Sequence, residues 1–157
     1  MTALQELRGA LDELGKHLDL ELEVPDDGEC VIDTGMGDEV LISGLDEAGL
    51  VRLAVPLLAV EPEDFAQISR EALLINDDLT LTGTARIGLS PPDDTLILTF
   101  SMPASGLDAG VLWGAIEPLL LLGREIREHL RSGATVDETP QESADTDGSA
   151  IDPTLRA

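Results

Sequence analysis

Acidic side chains cluster at three places in this 157-residue chain, where paired carboxylates could bind a metal ion or transfer a proton. The first cluster, within residues 26–33, lacks the EF-hand pattern, which needs glycine at loop position six and glutamate at position twelve. Asp77 with Asp78, and Asp93 with Asp94, fall in predicted turns, where Asp bonds to the backbone. We therefore expect solvated turns rather than metal ligands or a catalytic pair. The members of the first cluster are Asp26, Asp27, Glu29 and Asp33.

The two histidines and the single cysteine also lack the partners that catalysis or metal binding needs. No cysteine or second histidine stands at metal-ligand spacing from His17 or His129. Cys30 lies in a predicted strand, so we expect a small core side chain rather than a nucleophile. Neither a glycine-rich phosphate loop nor a nucleophile elbow is present. The sequence predicts a protein that is not an enzyme and has no cofactor.

The charge balance indicates which classes of partner are excluded. The chain has 32 Asp and Glu against 9 Lys and Arg, a net charge of −23. This charge repels nucleic acid and anionic membranes, because both are bound through clustered basic side chains. One cysteine cannot form an internal disulfide, and the acidic N-terminal helix is not a signal peptide. We expect a cytoplasmic protein that binds other proteins, with no nucleic-acid or membrane partner.

Leucine spacing predicts the first helix, and alternation predicts the strands that follow. Apolar side chains three and four residues apart form one stripe, a helical period. The period then changes to two in strands 30–33, 39–43 and 50–55, with 20–24 as a possible extra short strand. The stripe consists of Leu4, Leu7, Leu11, Leu14 and Leu18.

The second half of the chain predicts a helix, two strands and a long helix. The helix begins at Glu61 and is followed by strands 79–89 and 95–102 and a helix over about 107–131, which Pro118 should kink or restart. Residues 1–131 therefore predict an α+β domain, a twisted antiparallel sheet packed with three helices. Residues 132–157 are acidic and have no apolar period, so we expect a disordered tail.

Apolar side chains exceed what one packed core needs. Ile97 lies on the strand face opposite Leu96 and Leu98, and residues 119–122 are four consecutive leucines. Because a monomer of this size rarely exposes large apolar patches, part of this surface should meet a partner. The alternative is that the three helices cover both faces of the sheet.

Three stretches carry a resemblance to a known family. They are DDGECVID (26–33) after the leucine helix, EALLINDDLTLTGTARIGLSPPDDTLILTF (71–100), and MPASGLDAGVLWGAIEPLLLLGREIREHL (102–130). In pattern and spacing they resemble the class I type III secretion chaperones, the Tir chaperone (CesT-like) family. Pro118 and the acidic tail depart from the family pattern.

The resemblance implies a cytoplasmic homodimer without enzymatic activity. Such a dimer binds the N-terminal region of a secreted effector, keeps it non-globular and delivers it for secretion. The family usually pairs through its second helix and the following strand, and effector grooves usually involve the first helix and the sheet. Carried to this chain, the dimer interface comprises Phe65, Ile68, Ala72, Leu79 and Leu81. The groove candidates are Leu7, Leu11, Leu14, Val31, Ile42 and Ile97.

Other functions remain open from the sequence alone. The first is a regulatory protein-interaction module of the same fold, of YbjN-like or anti-activator type, which would bind a folded regulator. An enzyme would be indicated by a metal or cofactor in the purified protein. An acidic mimic of nucleic acid would compete with DNA for a basic protein.

Overall fold

In the computed structural model of this chain, the described residues are 1–22, 25, 28–35, 37–91 and 93–134. Most of the predicted tail, and Asp26 and Asp27 of the first acidic cluster, lie outside them. The helices are α1 (Ala3–Leu18), α2 (Phe65–Asp77), α3 (Leu79–Thr82) and α4 (Ala109–Ala134), and a 3-10 turn spans Asp46–Ala48. The strands are β1 (Glu29–Asp33), β2 (Glu39–Leu45), β3 (Leu50–Ala59), β4 (Arg86–Ser90) and β5 (Thr95–Pro103).

All five strands form one antiparallel sheet in the order β1-β2-β3-β5-β4, with β1 and β4 at its edges. Helices α1 and α4 pack on β2 and β3, and α2 packs on α4 and β4. Because α1 and α2 both contact α4, the three long helices share one face of the sheet. The predicted α+β class with an antiparallel sheet is confirmed, with α3 as an additional short helix.

The alternation of each strand places its apolar residues under these helices. Successive side chains point to opposite faces, so every second residue enters the core. On β3, Val51, Leu53 and Val55 are fully buried, whereas Arg52 and Pro56 on the other face are half-buried and the small Ala54 there is 5% exposed. Cys30 is also buried, with 4% of its surface exposed, as the sequence predicts.

Helix α1 is held against β2 by a cap and a close approach. Thr2 and Gln5 form a reciprocal capping box at its start, and the Leu4 backbone N–H donates to Asp46 Oδ1 at 2.8 Å. A Cβ on Gly44 of β2 would lie 3.0 Å from the Leu4 Cα. Glycine therefore allows this contact between the two backbones.

A buried carboxylate joins α4 to the sheet. Asp38, just before β2, has only 5% of its side chain exposed and accepts hydrogen bonds from Arg124 and Arg127. The Arg127 Nη1–Asp38 Oδ1 distance is 2.9 Å. The Arg124 and Arg127 guanidinium groups hold the pKa of Asp38 below its usual range, because their hydrogen bonds favour the charged form.

Arg127 also provides hydrogen-bond donors for two backbone carbonyls in an irregular part of β3. The register of β3 against β5 shifts between Pro56 and Leu58, which disturbs the ladder of backbone hydrogen bonds. Arg127 donates from Nη2 to the Pro56 carbonyl at 2.8 Å and from Nε to the Leu57 carbonyl at 3.0 Å. Its side chain is 15% exposed, against 45% for Arg124, so Arg127 is the more strongly desolvated partner of Asp38.

A side-chain amide caps the outer edge of β4. Asn76, on the last turn of α2, donates from Nδ2 to the Ile87 carbonyl at 2.9 Å. The Ile87 backbone N–H donates back to Asn76 Oδ1 at 2.7 Å. This pair of bonds occupies the position that a residue of a neighbouring strand would otherwise take.

Four sequence-based expectations about individual elements need revision. Residues 79–82 form α3 and not the start of a strand, because Asp78 Oδ1 accepts from the Thr80 and Leu81 N–H groups and caps a helical turn. Residues 20–22 are not in a strand. Helix α4 continues through Pro118 without restarting. Its bounds are Ala109–Ala134, whereas the sequence predicted a helix over about 107–131.

We predict that Asp38→Ala lowers the free energy of unfolding by about 3 kcal/mol, because it leaves two partly buried arginines without their carboxylate. Urea denaturation measures this loss, and Glu39→Ala, an exposed carboxylate at the next position, is the control. The folded pKa of Asp38 is lowered, so its contribution is complete above the unfolded pKa of about 4 and is lost as pH falls through the folded value. The difference between the native chain and Asp38→Asn should therefore shrink below about pH 4. Equal losses for Asp38→Ala and Glu39→Ala would contradict the prediction.

Asn76→Ala should lower the free energy of unfolding by about 1–2 kcal/mol, since two hydrogen bonds to Ile87 are lost. It should also increase aggregation, because the β4 edge then exposes a free donor and acceptor. Urea denaturation and light scattering measure the two effects. Asp77→Ala, an exposed neighbour on the same helix end, is the matched control. A variant as stable and as soluble as this control would show that the cap is dispensable.

Candidate functional site

The face of the sheet opposite the helices carries an apolar row that crosses four strands. Val31 pairs with Leu41, Leu41 with Ala54, and Ala54 with Thr99. A second row joins Pro56 to Ile97 and Ile97 to Gly88. No described helix covers these rows, so the alternative that helices cover both faces does not hold for the described residues. We call this surface the open face, and it comprises Val31, Leu41, Ala54, Pro56, Ile97 and Thr99.

Exposure on the open face is lowest at Ala54 on the central strand and highest at Val31 on β1. Val31 is 55% exposed, whereas Ile97 and Leu41 are half-buried and Ala54 is 5% exposed. The small Ala54 therefore lies between larger neighbours. This arrangement makes a shallow apolar surface that could receive alternate side chains of an extended segment.

The backbone at the β1 edge has groups that point away from the sheet. Gly44 N donates to the Gly28 carbonyl at 3.3 Å, and Thr34 N donates to the Asp38 carbonyl at 3.0 Å. In an antiparallel ladder these bonds recur at every second residue, so the even-numbered residues of β1 face β2. The N–H and C=O groups of Val31 and Asp33 therefore face the outer edge, where no strand among the described residues pairs with them.

The two edges of the sheet therefore differ. At β4, the backbone of Ile87 is bonded to Asn76. At β1, the side chains of Glu29 and Asp33 are acidic and exposed, and Glu29 Oε1 accepts from Ser43 Oγ of β2 at 3.2 Å. Of the two edges, β1 is the better suited to accept a further strand.

A second apolar surface lies on α2, α3 and β4. Five leucines that share an exposure above 40% occupy these elements, and we call them the leucine surface. They are Leu73 (69%), Leu74 (52%), Leu79 (60%), Leu81 (43%) and Leu89 (41%). Exposed leucines in this number and proximity are typical of a protein–protein contact.

The residues expected to form a dimer interface divide between this surface and the core. Leu79 and Leu81 belong to the leucine surface, and Phe65 is 39% exposed at the start of α2. Ile68 and Ala72 are 4% and 5% exposed and pack into the core beneath. The leucine surface adds Leu73 and Leu74, which do not belong to the core stripe of α2 and were not singled out from the sequence.

The residues expected to line a partner groove divide in the same way. Val31 and Ile97 lie on the open face. The other four candidates are buried in the core with at most 3% of their surface exposed, where they hold α1 on the sheet. These four are Leu7, Leu11, Leu14 and Ile42.

The titratable groups considered from the sequence do not converge. Burial raises the pKa of the Cys30 thiol, which disfavours the reactive thiolate. His17 Nδ1 lies 2.8 Å from the Glu13 carbonyl oxygen, and His129 Nε2 lies 3.9 Å from Glu71 Oε2. Within the described ranges, no three His, Cys, Asp or Glu side chains are grouped as metal ligands. None of the described helices has the length and apolarity to cross a membrane.

Solved structures share this arrangement of helices and strands. The HopA1–SchA chaperone–effector complex matches with a TM-score of 0.64 at 19% identity, covering 80% of this chain and 96% of that chain. The ExoU–SpcU complex of the Pseudomonas aeruginosa type III secretion system matches with a TM-score of 0.58 at 17% identity, covering 78% and 95%. YbjN from E. coli matches with a TM-score of 0.60 at 12% identity, covering 78% and 89%. At these identities the likeness shows a common fold.

Sequence comparison identifies the family. No curated protein sequence matches the chain significantly. The model of the Tir chaperone protein (CesT) family, however, matches residues 9–127, from α1 through most of α4 and well over half of the chain. The matched region contains the whole sheet, the open face and the leucine surface. The chain therefore belongs to the Tir chaperone protein (CesT) family.

Proposed function

We propose that this chain is a cytoplasmic type III secretion chaperone that binds the N-terminal region of a secreted effector. It keeps that region non-globular and delivers it for secretion, and it acts by binding rather than by catalysis. The observation that carries the proposal is the open face of the sheet beside the β1 edge, in a chain of the CesT family. Structural relatives include the HopA1–SchA chaperone–effector complex, which supports an effector as the partner.

The open face and the β1 edge suit an extended partner. Backbone groups of Val31 and Asp33 would give hydrogen bonds that do not depend on partner sequence, and the apolar rows would select its side chains. A partner bound in this way stays extended, since its backbone pairs with the sheet instead of with itself. This physical picture is what distinguishes a secretion chaperone from a module that binds a folded protein.

The net charge of −23 supports the same function. Repulsion between copies keeps a protein with exposed apolar surfaces soluble. Acidic Glu29 and Asp33 at the β1 edge would also steer a basic segment towards it. They disfavour pairing of two β1 edges, which would carry like charges.

The leucine surface is the proposed homodimer interface. Phe65, Leu79 and Leu81 would contact the second copy directly, together with Leu73 and Leu74. Ile68 and Ala72 would support the interface from the core, because they anchor the inner side of α2. The dimer would then present two open faces.

Light scattering of the purified chain should give about twice 16.6 kDa at micromolar concentration. The double variant Leu73→Asp/Leu79→Asp should be monomeric yet folded, because both side chains are more than half exposed and their loss leaves the core intact. Leu121→Asp is the control and should remain dimeric, because Leu121 is 54% exposed but lies on α4, outside the leucine surface. A native chain that stays monomeric at high concentration would contradict the proposed dimer.

Ile97→Asp should abolish partner binding while leaving the dimer and the melting temperature unchanged. The charge would lie in the apolar row of the open face, where a bound segment would have to desolvate it. The measurement is co-purification from the native host with mass spectrometry, followed by limited proteolysis of the complex. We expect protection of roughly 50 partner residues near its N-terminus, an extended length sufficient to follow a sheet face and edge.

Leu121→Asp again serves as the control and should capture the partner normally. Capture of natively folded proteins only, with no protected extended segment, would contradict the chaperone function and favour the regulatory module of the same fold. Unchanged capture by Ile97→Asp would place the partner elsewhere than on the open face.

A further inference from the structure

A groove between the end of α1 and the start of α4 lies away from both the open face and the leucine surface. Its volume is about 440 Å³. The apolar part of its lining is formed by Leu14, Leu18, Ala109 and Trp113, and Val111 is exposed nearby. Trp113 is half-buried there and is the single tryptophan of the chain. Tryptophan in a partly open apolar groove is typical of protein contacts that carry much of the binding energy.

Two carboxylates stand at this groove. Glu13 Oε2 accepts from the Ala109 N–H at 3.4 Å, and Asp108 Oδ1 accepts from the Val111 N–H at 2.8 Å. Each carboxylate thereby uses one oxygen to cap the first turn of α4. Glu13 Oε1 and Asp108 Oδ2 have no hydrogen-bond partner among the described residues, so both carboxylates keep acceptor capacity for a ligand.

No strong base in the lining compensates this charge. His17 is the titratable base that lines the groove, and Lys16 beside it is held by Asp12 at 2.6 Å. The groove therefore combines an apolar floor with a net negative charge. Its complement is an apolar side chain with a cationic neighbour.

We propose that this groove binds one large apolar side chain of the partner segment, flanked by lysine or arginine. The proposal rests on the proposed function, because it adds an anchor to the segment that lies on the open face. The apolar side chain packs against Trp113 and Leu18, and the flanking cation lies within reach of Glu13 and Asp108. The groove thus selects partner segments by a basic–apolar–basic pattern, whereas the open face selects only alternate apolar residues.

The full chain can be tested with two small probes, the acetylated and amidated tripeptides Lys-Phe-Lys and Glu-Phe-Glu. The indole N–H of Trp113 gives one resonance in a ¹⁵N-labelled sample, so binding is followed without ambiguity. We expect Lys-Phe-Lys to shift this resonance and the Leu18 amide saturably, and Glu-Phe-Glu to bind about tenfold more weakly. Equal affinity for the two tripeptides, or shifts only elsewhere, would overturn the proposal.

A variant that removes the two negative charges but keeps the helix cap measures the electrostatic contribution to peptide binding. Glu13→Gln/Asp108→Asn keeps an oxygen acceptor for each backbone N–H, because Gln and Asn side chains accept as carboxylates do. It should weaken Lys-Phe-Lys binding about tenfold and leave Glu-Phe-Glu no weaker. The control Glu47→Gln/Asp77→Asn removes two exposed charges elsewhere and should bind both tripeptides like the native chain.

Failure of this proposal is distinguishable from failure of the proposed function. If Ile97→Asp loses the captured partner and the groove variant retains it at full affinity, the groove proposal is overturned and the chaperone function stands. If the native chain prefers Lys-Phe-Lys as expected but captures no extended segment, the chaperone function fails and the ligand chemistry of the groove stands. A Trp113 resonance that moves on dilution of the chain alone, or in Arg156→Glu without peptide, would assign the groove to a second copy or to residues 135–157 and overturn the proposal.

Discussion

The ion pairs of Asp38 with Arg124 and Arg127 join the helical layer to the sheet. Helix α4 contacts α1, α2 and the central strands, so its position determines where the other helices lie. Arg127 also donates hydrogen bonds to the Pro56 and Leu57 carbonyls at the irregular part of β3. A carboxylate this well buried is stable only while both partners stay in place, because an isolated buried charge is strongly unfavourable. The same interaction therefore orients α4 and completes the sheet.

Placing every long helix on one face leaves the sheet with one covered and one open face. A monomer would ordinarily cover or charge such a surface, yet here the row from Val31 through Leu41 to Ala54 is apolar. Asn76 closes the β4 edge at Ile87, and no described residue does so at Val31. The fold thus offers a partner one edge and one face on the same side of the molecule. The α1–α4 groove adds a separate contact of different chemistry.

A helix or strand can be predicted from the sequence when the residues that cause it are close together in the chain. Helix α1 and the strands were predictable because a leucine stripe and an alternation are visible within a few residues. The sequence predicted a strand at residues 79–82 because Thr and Leu alternate there. The residues form a helical turn instead, since Asp78 Oδ1 accepts hydrogen bonds from the Thr80 and Leu81 N–H groups. Asn76 belongs to the Leu-Leu-x-Asn stretch that carries the family resemblance. That it caps the β4 edge could not be predicted, because only the folded chain brings Ile87 beside it.

The sequence by itself determined the α+β class, the apolar side of each main element and the acidity, because composition and periodicity are properties of neighbouring residues. It indicated the family through the resemblance of three stretches to known chaperones. Only the tertiary structure decided which apolar residues are core and which are surface. Leu11 and Leu73 are both helical leucines, yet the first is fully buried and the second is 69% exposed. Likewise, nothing local brings Asp38 to Arg124, or Glu13 to the start of α4. Those contacts depend on the packing of distant segments, since burial is a property of the assembled layers and not of any single helix or strand.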